Sequence, residues 1–335
     1  MGADVGGGAV GEMSTVVKSP GTPPPSQGRG RRRGWLRGEF NPLLVKELRG
    51  RMRGARAFVV LTVYLLLLSG FTAIIYYAYS ASVRGPSGGG GMAYLGKVVF
   101  ASVVLLEIFM VTFITPAFTA GAISGERERK TYELLRTTLL PARKLVAGKL
   151  TSALTYMFLL ILAAVPLESL AFVLGGVVVE ELVLALVILL VTAFAFATIG
   201  IFFSSLVRTT LLSTVLAYAT ALLATVGLPI LLTISAALLD SFAYGYSSPG
   251  PSWVVQAITN YALYLTAGLS PITAAIFTEV TLEEESTIWF FWESVGSGHR
   301  ILIPSAWIVY AVFYLALALV LLLVTVLRVR RQETR

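Results

Sequence analysis

Few side chains in this sequence are equipped for chemistry, and their scarcity excludes several kinds of it. There is no cysteine and a single histidine, His299, so thiolate nucleophiles, disulfides and paired-histidine metal motifs are absent. His299 follows Gly296, Ser297 and Gly298 and reads as a solvated loop residue. Gly91 to Val98, GMAYLGKV, approaches the phosphate-binding pattern GxxxxGK[ST] but puts Val98 where magnesium needs a hydroxyl. No nucleotide site is therefore expected in this chain. Glu283, Glu284 and Glu285 form an acidic run that reads as a solvated turn. Glu107 and Glu168 are different, because each interrupts a long apolar stretch where a charge facing lipid costs about 3 kcal/mol. Glu107 should face a bundle interior, an interface or a cavity. Glu168, after Pro166, reads as a wetted boundary residue. Both are candidates for a translocation path, and no metal site is expected.

The elements that must position these groups are hydrophobic helices. Of 335 residues 56% are hydrophobic and only 13% charged, against about a quarter charged in soluble domains. Six stretches are long enough to cross a hydrocarbon core of about 30 Å: 57–79, 97–120, 150–174, 182–206, 211–239 and 304–327. With six spans and both termini cytoplasmic, 23 of the 26 Lys and Arg residues fall on the inner side, as the positive-inside rule requires. The net charge of +8 is thus a matter of topology, and no nucleic-acid partner is expected.

Residues 1–38 are expected to be a cytoplasmic tail without a core, and 39–335 the membrane domain. Asn41 and Pro42 can open an amphipathic helix over Phe40 to Ala55 that lies on the membrane surface. A seventh apolar stretch, Trp253 to Leu269, would put the C-terminal arginines outside if it crossed alone. The segment from Asp240 to Ile303 is therefore expected to be an outer re-entrant or interfacial segment, with Trp289 and Trp292 at headgroup level. The fold class expected is an all-α integral membrane protein.

The second and third spans are joined by AGAISGERERKTYELLRTTLLPARKLVAGK, Ala120 to Lys149. Gly125 is expected to break the span, and Glu126 and Glu128 to open a new helix whose apolar face holds Tyr132, Leu134, Leu135 and Leu139. Topology explains the basic Arg143 and Lys144, but not the alternation Glu126, Arg127, Glu128, Arg129.

Here the chain resembles the ABC-2 type transporter permeases, which carry a proline near the inner end of the second span and then ISxERExxTxExLxxTP. Pro116, Ile123, Ser124, Glu126, Arg127, Glu128, Thr131, Glu133, Leu135 and Thr138 match, as do Gly148 and Lys149 where the third span opens. The family's proline after the threonines is Leu139 here, with Pro141 two residues on. The resemblance implies a permease that pairs with a second copy or a related permease in the lipid of a plasma or bacterial inner membrane. It further implies an ABC ATPase subunit that binds ATP and Mg and docks on a coupling helix made by Glu126, Arg127, Glu128, Arg129, Lys130, Thr131, Glu133, Leu134 and Leu135. Two other readings remain: a membrane transferase or hydrolase acting at the outer face through Glu283 to Glu285 or His299, and a non-transporting membrane anchor.

Overall fold

Described in this computed structural model are residues 2, 55–83, 91–131, 141–244, 252–295 and 298–333. The expected tail, the amphipathic helix before Ala55, and Glu133, Leu134 and Leu135 of the loop lie outside them. Helix α1 is Ala55–Val83, α2 Met92–Thr119, α3 the single turn Ser124–Glu128, α4 Ala142–Leu174 and α5 Val179–Leu206. Helix α6, Thr210–Leu222, runs through a π-helical turn, Leu223–Gly227, into α7, Leu228–Tyr244. After α8, Trp253–Ala267, and α9, Pro271–Glu285, come strands β1, Phe290–Val295, and β2, His299–Pro304, and then α10, Ala306–Glu333.

Six helical stretches are long and apolar enough to cross a membrane: Ala57–Ala81, Ala93–Glu128, Ala142–Leu174, Val179–Leu206, Thr210–Leu238 and Ala306–Arg331. They agree with the six expected. One difference is at α4, which starts about two turns before Leu150. Lys149 had marked the expected boundary, but Ala142, Leu145 and Val146 bury against Ile123, Ala197, Ile201 and Val329, and this small second core extends the helix past the charges.

Helix α5 is the centre of the bundle and packs on α2, α4, α6 and α10. Small side chains let its neighbours approach, among them Ala185, Ala193, Ala195, Ala197 and Gly200, all buried. A Cβ at Gly200 would sit 2.0 Å from Thr119 Oγ1 of α2. Lower on the same helix, the hydroxyls of Thr192 and Tyr310 bond at 2.7 Å and tie α5 to α10. Helix α1 lies at the edge and exposes Phe58, Leu66, Ile74 and Tyr77, as a lipid-facing helix should. At the opposite end of the bundle from Gly200, Gly96 explains the near-phosphate-loop motif differently. A Cβ there would meet Gly175 O at 2.6 Å and Ala171 O at 2.9 Å, so the glycine serves contact between α2 and α4.

Helices α8 and α9 have 15 residues each, about 22 Å of helix, short of a hydrocarbon core. Their elbow, Gly268 to Ser270, is held by Tyr314, whose hydroxyl donates to Leu269 O at 2.8 Å. Tyr314 is eight residues into α10, so the elbow lies about 12 Å along that span. Beyond it, the all-helical expectation meets one addition, the antiparallel hairpin pairing Phe291 with Ile303 and Val295 with His299. Phe291 and Val295 face the core while Trp289, Phe290 and Trp292 are exposed. The Trp307 indole donates to Ile288 O at 2.8 Å and anchors the hairpin to α10.

The tight α2–α5 crossing sets a prediction. Gly200→Ala forces these helices apart and is expected to cost about 1–3 kcal/mol, seen as a lower melting temperature in detergent. Gly70→Ala, with nothing within 4 Å, should leave that temperature unchanged or raise it.

Candidate functional site: a polar corner and a buried carboxyl pair

Two groups of polar side chains stand out from the apolar bundle. The first is the corner where α2 gives way to α3. Pro116 lies within the last turn of α2, and Thr115 and Thr119 return their hydroxyls to Val111 O at 2.6 Å and Thr115 O at 3.1 Å. Past Ala120 the regular ladder stops, and the amides of Ile123 and Ser124 donate to Ser204 Oγ on α5 at 2.8 and 2.9 Å. A serine hydroxyl has two acceptor sites and one proton, so with both sites taken Ser204 donates to Ser124 Oγ, 3.2 Å away. Ser124 in turn donates to Ala120 O, which Ser213 of α6 also reaches, at 2.6 Å. Every polar atom of this buried relay is used.

The charged residues of the alternating run complete the corner. Arg127 donates to the carbonyls of Ser205 and Val207 at 3.2 and 3.3 Å, covering the C-terminal end of α5, where a cation is favourable. Glu128 accepts from the amide and the hydroxyl of Thr210 at 2.8 and 2.7 Å and so caps the first turn of α6. Glu126 receives the Thr131 hydroxyl and pairs with Lys149 of α4 at 3.3 Å. Gly121 and Gly125 leave room for the Thr210 methyl group, which would lie 3.7 and 3.4 Å from their added Cβ atoms. One short helical turn is thus bound to α4, α5 and α6 together.

The break falls just before Gly125: α2 ends at Thr119, residues 120–123 turn, and α3 opens at Ser124 with Glu126 in its first turn, close to expectation. It ends after Glu128, and Lys130 takes a left-handed conformation at φ 58°. The Ser204 hydroxyl takes the amides that this helix start leaves without acceptors. Arg129 and Lys130 are exposed beyond α3. Tyr132, Leu134, Leu135 and Leu139 of the expected apolar face lie outside the described residues.

The second group lies within the spans, Glu107 near the middle of α2 and Glu168 toward the C-terminal end of α4. Glu107 of α2 is 0% exposed, and the Tyr64 hydroxyl of α1 donates to its Oε1 at 2.8 Å. Glu168 of α4, 1% exposed, stands beside Glu107, so its expected position at a wetted boundary is overturned. The turn of α4 that carries Glu168 packs inward against α2. Apart from one another, Glu107 Oε2 and both Glu168 oxygens have no hydrogen-bond partner among the described residues. Such a pair can hold a proton or bind a passing polar group. Tyr64 was missed because a tyrosine in an apolar run carries no sign of its partner.

Elsewhere the groups weighed for chemistry are occupied. His299, exposed as expected, opens β2 and stacks on Trp253 with ring centroids 4.4 Å apart, and Glu283 pairs with Lys97 at 3.2 Å. No cluster of metal-ligating side chains occurs among the described residues.

Six apolar helices around a buried core, with a polar corner closing one end, define a multi-pass helical membrane protein. The chain belongs to the ABC-2 family transporter proteins, whose family model matches residues 42–334. No curated protein matches the sequence. Membership supports a transporter membrane subunit rather than a catalyst.

The relay sets a further prediction. Ser204→Ala strands two buried amides at about 1–3 kcal/mol each, so amide exchange over 121–131 should quicken roughly tenfold or more, by mass spectrometry, while the protein still inserts.

Proposed function

We propose that this chain is the permease subunit of an ATP-driven transporter, whose α3 corner receives the stroke of a separate ABC ATPase bearing ATP and Mg. The observation that carries this reading is the bonding of Glu126, Arg127 and Glu128 to three spans at once. A force applied at one exposed turn then moves α4, α5 and α6 as a body, the kind of rigid-body input that switches a bundle between two access states. Arg129, Lys130 and the stretch containing Glu133, Leu134 and Leu135 are the surface offered to the ATPase, while Glu126, Arg127 and Glu128 hold that surface to the spans. Both termini and this corner face the cytoplasm, in keeping with the crowding of basic residues there. The functional unit is a pair of permeases, identical or related, each with its ATPase. Glu107, Glu168 and Tyr64 form a polar point on the path that the substrate crosses.

Co-purification with a candidate ABC ATPase, followed by ATP turnover in lipid nanodiscs, tests the reading. Alanine at Glu126, Arg127 and Glu128 together is expected to lower permease-dependent turnover at least about tenfold, or to prevent assembly, with membrane insertion intact. Normal assembly and turnover in that variant would sink the proposal.

A further inference from the structure

Between α2, α5 and α9, at the end of the bundle away from the α3 corner, lies a cavity of about 140 Å³. Its walls are mainly apolar, with Phe100, Val104, Leu184, Ile188, Ala275 and Leu282 among them, and Glu181 and Glu279 complete the lining. Glu181 is 6% exposed, and its Oε2 accepts the Val178 amide at 3.3 Å. Glu279 Oε1 is buried and has no hydrogen-bond partner among the described residues. Lys97 of α2 acts on Glu279 but bonds to Glu283 at 3.2 Å. Among the described residues, three carboxyl groups, Glu181, Glu279 and Glu283, therefore share one ammonium. The other elements packed on α9 add no compensating charge there: α8 and the π-helical turn carry none, and the charges of α10 begin at Arg328. Glu180, beside Glu181, adds to the negative field.

We propose that this cavity binds a small amphipathic organic cation, with its ring or short alkyl chain in the apolar chamber and its ammonium group between Glu279 and Glu181. The size fits, since an apolar cavity of about 150 Å³ holds one benzene-sized group. The charge selects among occupants of that size. A lipid chain fills the walls but leaves a buried carboxyl oxygen unpaired, an anion is repelled, and a bare metal ion leaves the apolar walls empty. Burial, with Glu181 and Glu283 adding to it and Lys97 opposing, pushes the Glu279 carboxyl up to about 7. A cation binds the ionised form, so affinity rises as the pH climbs through neutrality.

The test compares phenethylammonium with the neutral 2-phenylethanol, by calorimetric titration of the full chain in nanodiscs with empty discs as blank. Near pH 8 the ammonium is expected to bind at least about tenfold tighter than the alcohol. Near pH 6, or in Glu279→Gln at pH 8, that preference should fall below about threefold while the alcohol's affinity holds. Equal binding of the two probes by the unaltered chain, which an acyl-chain pocket would give, overturns the proposal, as does the absence of binding. So does a preference that survives Glu279→Gln. If that variant fails to fold, the pH series on the unaltered chain decides alone, and a preference independent of pH is the contrary result. The readout requires no ATPase, so it stands or falls separately from the coupling of α3.

Discussion

Where the second span leaves its helix, the amides of Ile123 and Ser124 lose their intrahelical acceptors, and the Ser204 hydroxyl takes both. Inside a membrane protein no water stands ready to replace such partners, so a chain can turn at that depth only where another element supplies them. That single requirement places α3 against α5. The rest of the corner follows from it: Ser213 closes on Ala120 O, Arg127 covers the end of α5, and Glu128 caps α6. Gly200 is part of the same constraint, because Ser204 reaches the corner only if α5 lies almost in contact with Thr119.

The two sets of buried acids are solved differently. Glu107 and Glu168 sit in the bundle between α1, α2 and α4, with the Tyr64 hydroxyl and each other as polar neighbours. Glu181 and Glu279 lie toward the other end with an ion pair nearby, on the wall of a cavity. Both lie on helices that pack on α2, whose other end enters the α3 corner. Helix α2 therefore touches the corner, the Glu107–Glu168 pair and the cavity.

The spans and the corner residues were legible in the sequence for physical reasons. Long apolar runs have one explanation, lipid, and a run such as Glu126 to Arg129 beside a span cannot enter it. What escaped depends on partners distant in the chain. Ser204 is 80 residues from Ser124, and nothing local distinguishes it from Ser205. Glu168 was placed at a boundary because depth along a helix is readable but the face is not. The helix break was placed at Gly125 from a backbone preference, and it falls slightly earlier, at 120–123, where the Ser204 hydroxyl can take the freed amides. The hairpin after α9 was read as loop because its glycines and serine carry that signal, while the alternation burying Phe291 and Val295 spans only six residues.

That the corner moves as one rigid piece is the claim most directly open to measurement, and a chain without cysteines invites it. Spin labels at Arg129→Cys and Arg208→Cys, read by continuous-wave dipolar broadening in a complex with the proposed ATPase, report the separation of α3 from the α5–α6 turn. The account predicts one narrow distance that stays within about 2 Å between nucleotide-free and ATP-bound states. A shift of about 5 Å or more, or two populations, would mean that α3 moves independently of the spans and would contradict it.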